Sequence, residues 1–194
     1  MQASVTRWTS LSITIERMRR IIFLLFLAYC VPAQAEEVKI CYNYGCAANA
    51  TVTFNEQQLG NVAVLFRGHL NAAEEREAIA QAVGMLARYA GEQSPVFRDK
   101  GRDNDGGVDG RMDSADHSIN TTAYLKILEG RGWLKLHHVK SRVVRGATKA
   151  HWAARISEIR THQEFAVDSW FFPNGHPAVI FKLEDWLKGA KPDA

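Results

Sequence analysis

The hydrophobic pattern of this chain passes from helical to strand period near residue 130, and that change fixes the class of fold open to it. In the two stretches before it the apolar residues recur at helical spacing: Ile79, Val83, Met85, Leu86 and Tyr89, then Ile119, Tyr124, Leu125 and Leu128. Beyond Trp133 they form strand-like runs over 133–144, 150–159 and 164–172, with a fourth over 178–181 and a short closing helix at 183–187. Helices followed by successive strands predict an α+β protein, with helices packed on a C-terminal antiparallel sheet. Two helix starts are written as capping boxes, Asn55 with Gln58 and Asn71 with Glu74. Glu74, Glu75, Arg76, Glu77 and Arg88 fall mostly off the apolar stripe, and Gly91 ends that helix. Two short strands, 38–41 and 50–54, precede the first helix.

The N-terminus has a different logic. Met18-Arg19-Arg20 is a basic stretch, Ile21 to Val31 is apolar, and Ala33-Gln34-Ala35 matches a small-x-small cleavage site. The apolar run is shorter than the roughly 20 residues of a membrane span. Residues 1–35 are therefore expected to be a signal peptide, with Met18 a possible true start, and 36–194 a single periplasmic or secreted domain. Nothing beyond residue 35 reads as a membrane span. Removing the leader takes away Arg7, Arg17, Arg19, Arg20 and Glu16, which balances the 24 basic and 21 acidic residues of the whole chain to zero net charge. A neutral mature chain does not imply nucleic acid as a partner. Cys41 and Cys46 both survive cleavage, and an even pair in an exported protein favours a disulfide.

Between the two helical stretches, residues 92–112 lose all apolar period and are dominated by Gly and Asp. A structureless loop of about 20 residues is uncommon inside a compact domain. Asp99, Asp103, Asp105, Asp109 and Asp113 suggest calcium, but no frame supplies the spacing, central Gly and terminal Glu of an EF-hand, so a solvated loop is expected. His137 and His138 on one strand point to opposite faces and are poor joint ligands. His117 and His176 read as polar turn or cap residues, and Asp116 as a structural hydrogen-bonding group.

The loop leads into Met112-Asp113-Ser114-Ala115-Asp116-His117 at the start of a helix, and His151-Trp152 and Asp168 follow on two strands. Attack by a hydroxyl or thiol needs a base within hydrogen-bond reach, and the base needs a third group to orient it. A turn near Ile159-Arg160-Thr161 sets His151 and Asp168 opposite or diagonal across a hairpin. Taken singly, Asp113 or Ser114 also suits a helix cap, His151 a half-buried strand residue, and Asp168 a partner for an arginine such as Arg155. In combination, residues 110–172 resemble the bacterial transglutaminase-like cysteine proteinases: an Asp-nucleophile-x-Asp segment, a helix ending at Gly130 or Gly132, then histidine and aspartate strands. The resemblance implies a transglutaminase-like core with Ser114 in the nucleophile position, His151 as base and Asp168 as the orienting acid. It implies acyl transfer on a peptide or protein substrate, with no metal or organic cofactor. Serine stands where the family carries cysteine, which leaves hydrolysis and a non-catalytic binding or assembly role both open.

Overall fold

Strands β1 (Glu36–Tyr42) and β2 (Ala48–Phe54) form an antiparallel hairpin in register from Glu36↔Phe54 to Tyr42↔Ala48. Alternation turns Ile40, Val52 and Phe54 into the core. The strands exceed the apolar runs that foretold them because their polar ends stay in the ladder. Their connection is a run of left-handed residues, Asn43, Tyr44, Gly45 and Cys46, with φ of 66°, 62°, 66° and 61°. Three of the four are not glycine, so the conformation must be held from outside the turn. The Cys41–Cys46 disulfide closes it. In this computed structural model residues 35–102 and 107–193 are described, so all but the last residue of the expected leader, together with Asp103 and Asp105, lie outside the described residues.

Helices α1 (Glu56–Ala63) and α2 (Ala72–Gly91) begin where the sequence sets them, each with a complete capping box. Asn55 Oδ1 accepts from Gln58 N–H at 2.9 Å, and Gln58 Oε1 accepts from Asn55 N–H at 3.0 Å. After α1 the chain tightens into a 3-10 turn at Val64–Phe66 rather than continuing the helix. On α2, Ile79, Val83, Leu86 and Tyr89 are buried as the period requires. Glu75 departs from expectation. It lies one turn before Ile79 on the same stripe and is 1% exposed. Its carboxylate accepts the N–H groups of Lys135 and Leu136 and a 2.9 Å bond from His137 Nδ1. Burial pushes this carboxyl up, but the His137 and backbone hydrogen bonds outweigh it and hold the group below the usual carboxylate range. Arg76 lies 4.1 Å over the Phe165 ring and pairs with Glu158 at 3.3 Å. These bonds tie α2 to the sheet.

The sheet is a meander in the order β3-β4-β5-β6, all antiparallel: β3 (His137–Arg145), β4 (His151–Glu158), β5 (Glu164–Asp168) and β6 (Val179–Lys182). Strands β3 and β5 are shorter than their apolar runs. Trp133 and Leu134 belong to the turn entering β3, and Trp170 to Phe172 to the turn leaving β5. His137 is fully buried while His138 is exposed, as alternation demands. The third helix, α3 (Ser114–Gly130), and α2 share one core with the sheet, in which Leu125, Leu128, Ile156 and Val167 meet Ile79 and Leu86. The opposite sheet face carries a small second cluster, Ala153 and Ala166 beneath Trp186 of α4 (Leu183–Leu187). One compact unit spans Ala35–Ala194. The architecture is thus α+β, three main helices and a four-stranded antiparallel sheet, with an N-terminal hairpin added.

Candidate active site

Ser114 is the first residue of α3, and Asp113, not Ser114, caps the helix by accepting from Asp116 N–H at 2.9 Å. The Ser114 hydroxyl oxygen accepts instead from Trp152 N–H at 3.2 Å, which places it beside the residue that follows His151. The disulfide hairpin grips the approach to Ser114. Asn43 N–H donates to Arg111 O at 2.7 Å, and Asn43 Oδ1 accepts from Gly110 N–H at 2.8 Å. Gly45 N–H donates to Asp113 Oδ2 at 3.0 Å and Cys46 N–H to Asp116 Oδ1 at 2.5 Å. One turn further, Asn120 makes two 2.8 Å bonds with the backbone of Cys41. The left-handed turn thus aims its N–H groups at the carboxylates around the helix start. Asp116 is fully buried, and its Oδ2 has no hydrogen-bond partner among the described residues. Burial first, and the nearby Asp113 charge second, push its carboxyl above the usual 3.8.

Register continues from Ala154↔Val167, so Ala153 faces Asp168 and His151 is its diagonal neighbour on the same face. His151 Nε2 lies 2.6 Å from Asp168 Oδ2. Asp168 is 1% exposed and also accepts from the Trp186 indole at 2.8 Å and from Trp170 N–H at 3.1 Å. An ionised carboxylate only accepts, so Nε2 carries the proton and Nδ1 keeps the basic lone pair. Three rings enclose the imidazole, Trp170, Trp186 and Phe171, with centroids at 4.8, 5.6 and 5.7 Å. Asp168 does not pair with Arg155, which donates to Ser141 O and Glu164 instead.

Ser114 and His151 line one cleft of about 590 Å³, together with Tyr44, Trp152, Trp170 and Phe171. The structure brings His151 and Asp168 together, and it places Ser114 in the same cleft as His151, bonded to the backbone N–H of the next residue, Trp152. Trp186 and Tyr44 were not foreseen. Both come from segments remote in sequence, one a lone aromatic in a five-residue helix and the other a turn residue.

The loop before Ser114 is more ordered than its composition suggests. A 3-10 turn spans Pro95–Arg98, and Asp99 is 3% exposed, not a solvated loop residue. Asp99 Oδ1 accepts from Met112 N–H at 2.8 Å, and Oδ2 lies 3.0 Å from His117 Nε2. His117 Nδ1 meets Ser169 Oγ at 3.0 Å, and Ser169 Oγ meets Thr121 at 2.9 Å. His117 is thus a buried residue inside α3 rather than a turn or cap. Its network joins the loop, α3 and the residue after Asp168, fixing the distance between the two halves of the site. Among the described residues no cluster of three or more His, Cys, Asp or Glu is placed to hold a metal ion.

No protein-family model, curated protein or solved structure matches the chain.

Proposed function

We propose that the cleft is an acyl-transfer site of transglutaminase-like type that hydrolyses an amide bond in a peptide or protein substrate. The observation that carries this reading is the His151–Asp168 pair, with Asp168 buried and His151 opening into the cleft that Ser114 lines. Ser114 Oγ attacks the amide carbonyl while His151 Nδ1 takes the hydroxyl proton. Asp168 and the Trp186 indole hold the imidazole in the tautomer that leaves Nδ1 basic. The developing oxyanion is met by the N–H groups of Ser114 and Ala115 at the start of α3, since that of Asp116 is engaged by Asp113. His151 then gives its proton to the departing amine, and the C–N bond breaks. Water adds to the acyl-serine ester, His151 takes the water's proton and returns it to Ser114, and the carboxylic acid is released.

A non-catalytic binding role is the second reading, favoured by one contact. The Trp152 N–H occupies a lone pair of Ser114 Oγ, and a serine must lose its proton during attack whereas a thiol is readily held as thiolate. A fluorophosphonate separates the two. The proposed hydrolase forms a single adduct on Ser114, lost in Ser114→Ala and strongly slowed in His151→Ala. An unmodified mass after prolonged exposure would assign the cleft to binding alone.

A further inference from the structure

Around the mouth of this cleft the charge is one-sided. Among the described residues, Arg145, Lys149 and Lys191 line it against a single carboxylate, Asp113, which is already engaged by Gly45 N–H and by capping. The domain beyond the leader carries equal numbers of acidic and basic residues, so composition does not produce the excess. The three cations are built in differently. Arg145 Nη1 donates to Trp186 O and Ala190 O, and its guanidinium lies 4.5 Å over the Trp186 ring. Burial lowers its pKa and the nearby Asp168 charge opposes that shift. Arg145 is therefore a fixed wall, balanced by Asp168 and fastened to the backbone one residue before Lys191.

The two lysines are exposed at the rim. Lys149 sits in the β3–β4 turn two residues before His151, in a connection where Gly146 takes φ of 80° and a Cβ would strike Lys149 O. Lys191 follows the segment that Arg145 anchors. Long ammonium side chains at the edge of a low-dielectric aromatic cleft attract anions and leave their heads free to pair with them.

We propose that the cleft selects acidic peptide segments, with Lys149 and Lys191 binding side-chain carboxylates that flank the amide presented to Ser114. This assignment of substrate class rests on the acyl-transfer reading for its meaning, but the binding it describes needs no turnover. Fluorescent acetyl-Ala-Glu-Ala-Glu-Ala-amide, its Gln counterpart and its Lys counterpart test it by anisotropy at low ionic strength. The Glu peptide is expected to bind about fivefold more tightly than the Gln peptide, a gap of the size two exposed ion pairs supply, and the Lys peptide more weakly than either. Lys149→Glu/Lys191→Glu should reverse that order. Lys39→Glu/Lys126→Glu, an equal charge change on β1 and about three turns along α3, should preserve it. Equal binding of all three peptides would overturn the proposal, as would a Glu preference that both double variants reduce alike, since that reports net charge only. Lysine-dependent Glu binding without a Ser114 adduct would uphold the acidic subsite while removing the hydrolase. A Ser114 adduct without Glu preference would do the reverse.

Discussion

Asp168 gathers more of the account than any other side chain. It is a buried carboxylate with three donors, and the Trp186 indole shares the oxygen that His151 uses. Trp186→Phe keeps an aromatic side chain but deletes that donor and part of a fully buried volume, so it should cost at least about 1–3 kcal/mol of unfolding free energy, read from urea denaturation. A loss near zero would mean the indole contact contributes nothing. Asp116 makes the opposite kind of prediction. Its carboxyl is raised in the folded state by burial and by Asp113. The native protein therefore binds a proton more tightly there than the unfolded chain does. Stability from this group is complete below the ordinary value of 3.8 and declines as pH rises through the higher native value. Asp116→Asn lacks that decline. Its stability relative to wild type should increase from pH 4 towards pH 7, and a difference independent of pH would contradict the assignment. Sequence singled out His151 and Asp168 because few residue types can serve as base and orienter, and the structure pairs the two side chains at 2.6 Å. It placed Asp116 as structural without its burial, because the residues that cover it come from a hairpin about 70 positions away.

At the scale of elements, the disulfide hairpin is the part that local pattern described and tertiary contact reinterpreted. Its strands and its cystine follow from alternation and from an even cysteine pair. That its turn holds Gly110, Arg111, Asp113 and Asp116 does not, because the left-handed run from Asn43 to Cys46 leaves no periodic trace. Replacing both cysteines by serine should lower stability by about 2 kcal/mol, the entropy of so short a loop. It should also raise hydrogen exchange at Ser114 and Ala115 more than in β5. Uniform exchange changes would mean the hairpin does not secure the helix start. The loop it grips is equally exacting: Gly110 has φ of 92°, and a Cβ there would collide with the carbonyl oxygen of Pro95. Gly110→Ala should cost about 1–3 kcal/mol by thermal or urea unfolding. Asp99 and Glu75 were misjudged for one shared reason. Acidic residues usually face water, and only their distant partners, Met112 with His117 and Lys135 with His137, show that these two do not.

At the scale of the molecule, the start of α3, gripped by the hairpin, sets Ser114 beside the ends of the two central strands of the sheet, β4 and β5, which carry His151 and Asp168. The helix-to-strand order was legible in the period of the apolar residues. The joint between the halves was not, because it is made of single long-range bonds, Ser114 to Trp152 and His117 to Ser169. In the proposed function this joint delivers position 114 to His151 for activation. The pH dependence of iodoacetamide alkylation in Ser114→Cys, with and without His151→Ala, measures that directly. An unassisted thiol reacts with a midpoint at about pH 8.5. With activation by His151, the midpoint for Ser114→Cys alone falls well below that value and returns to the ordinary range when His151 is removed. A midpoint at the ordinary thiol value, unmoved by His151→Ala, would contradict it.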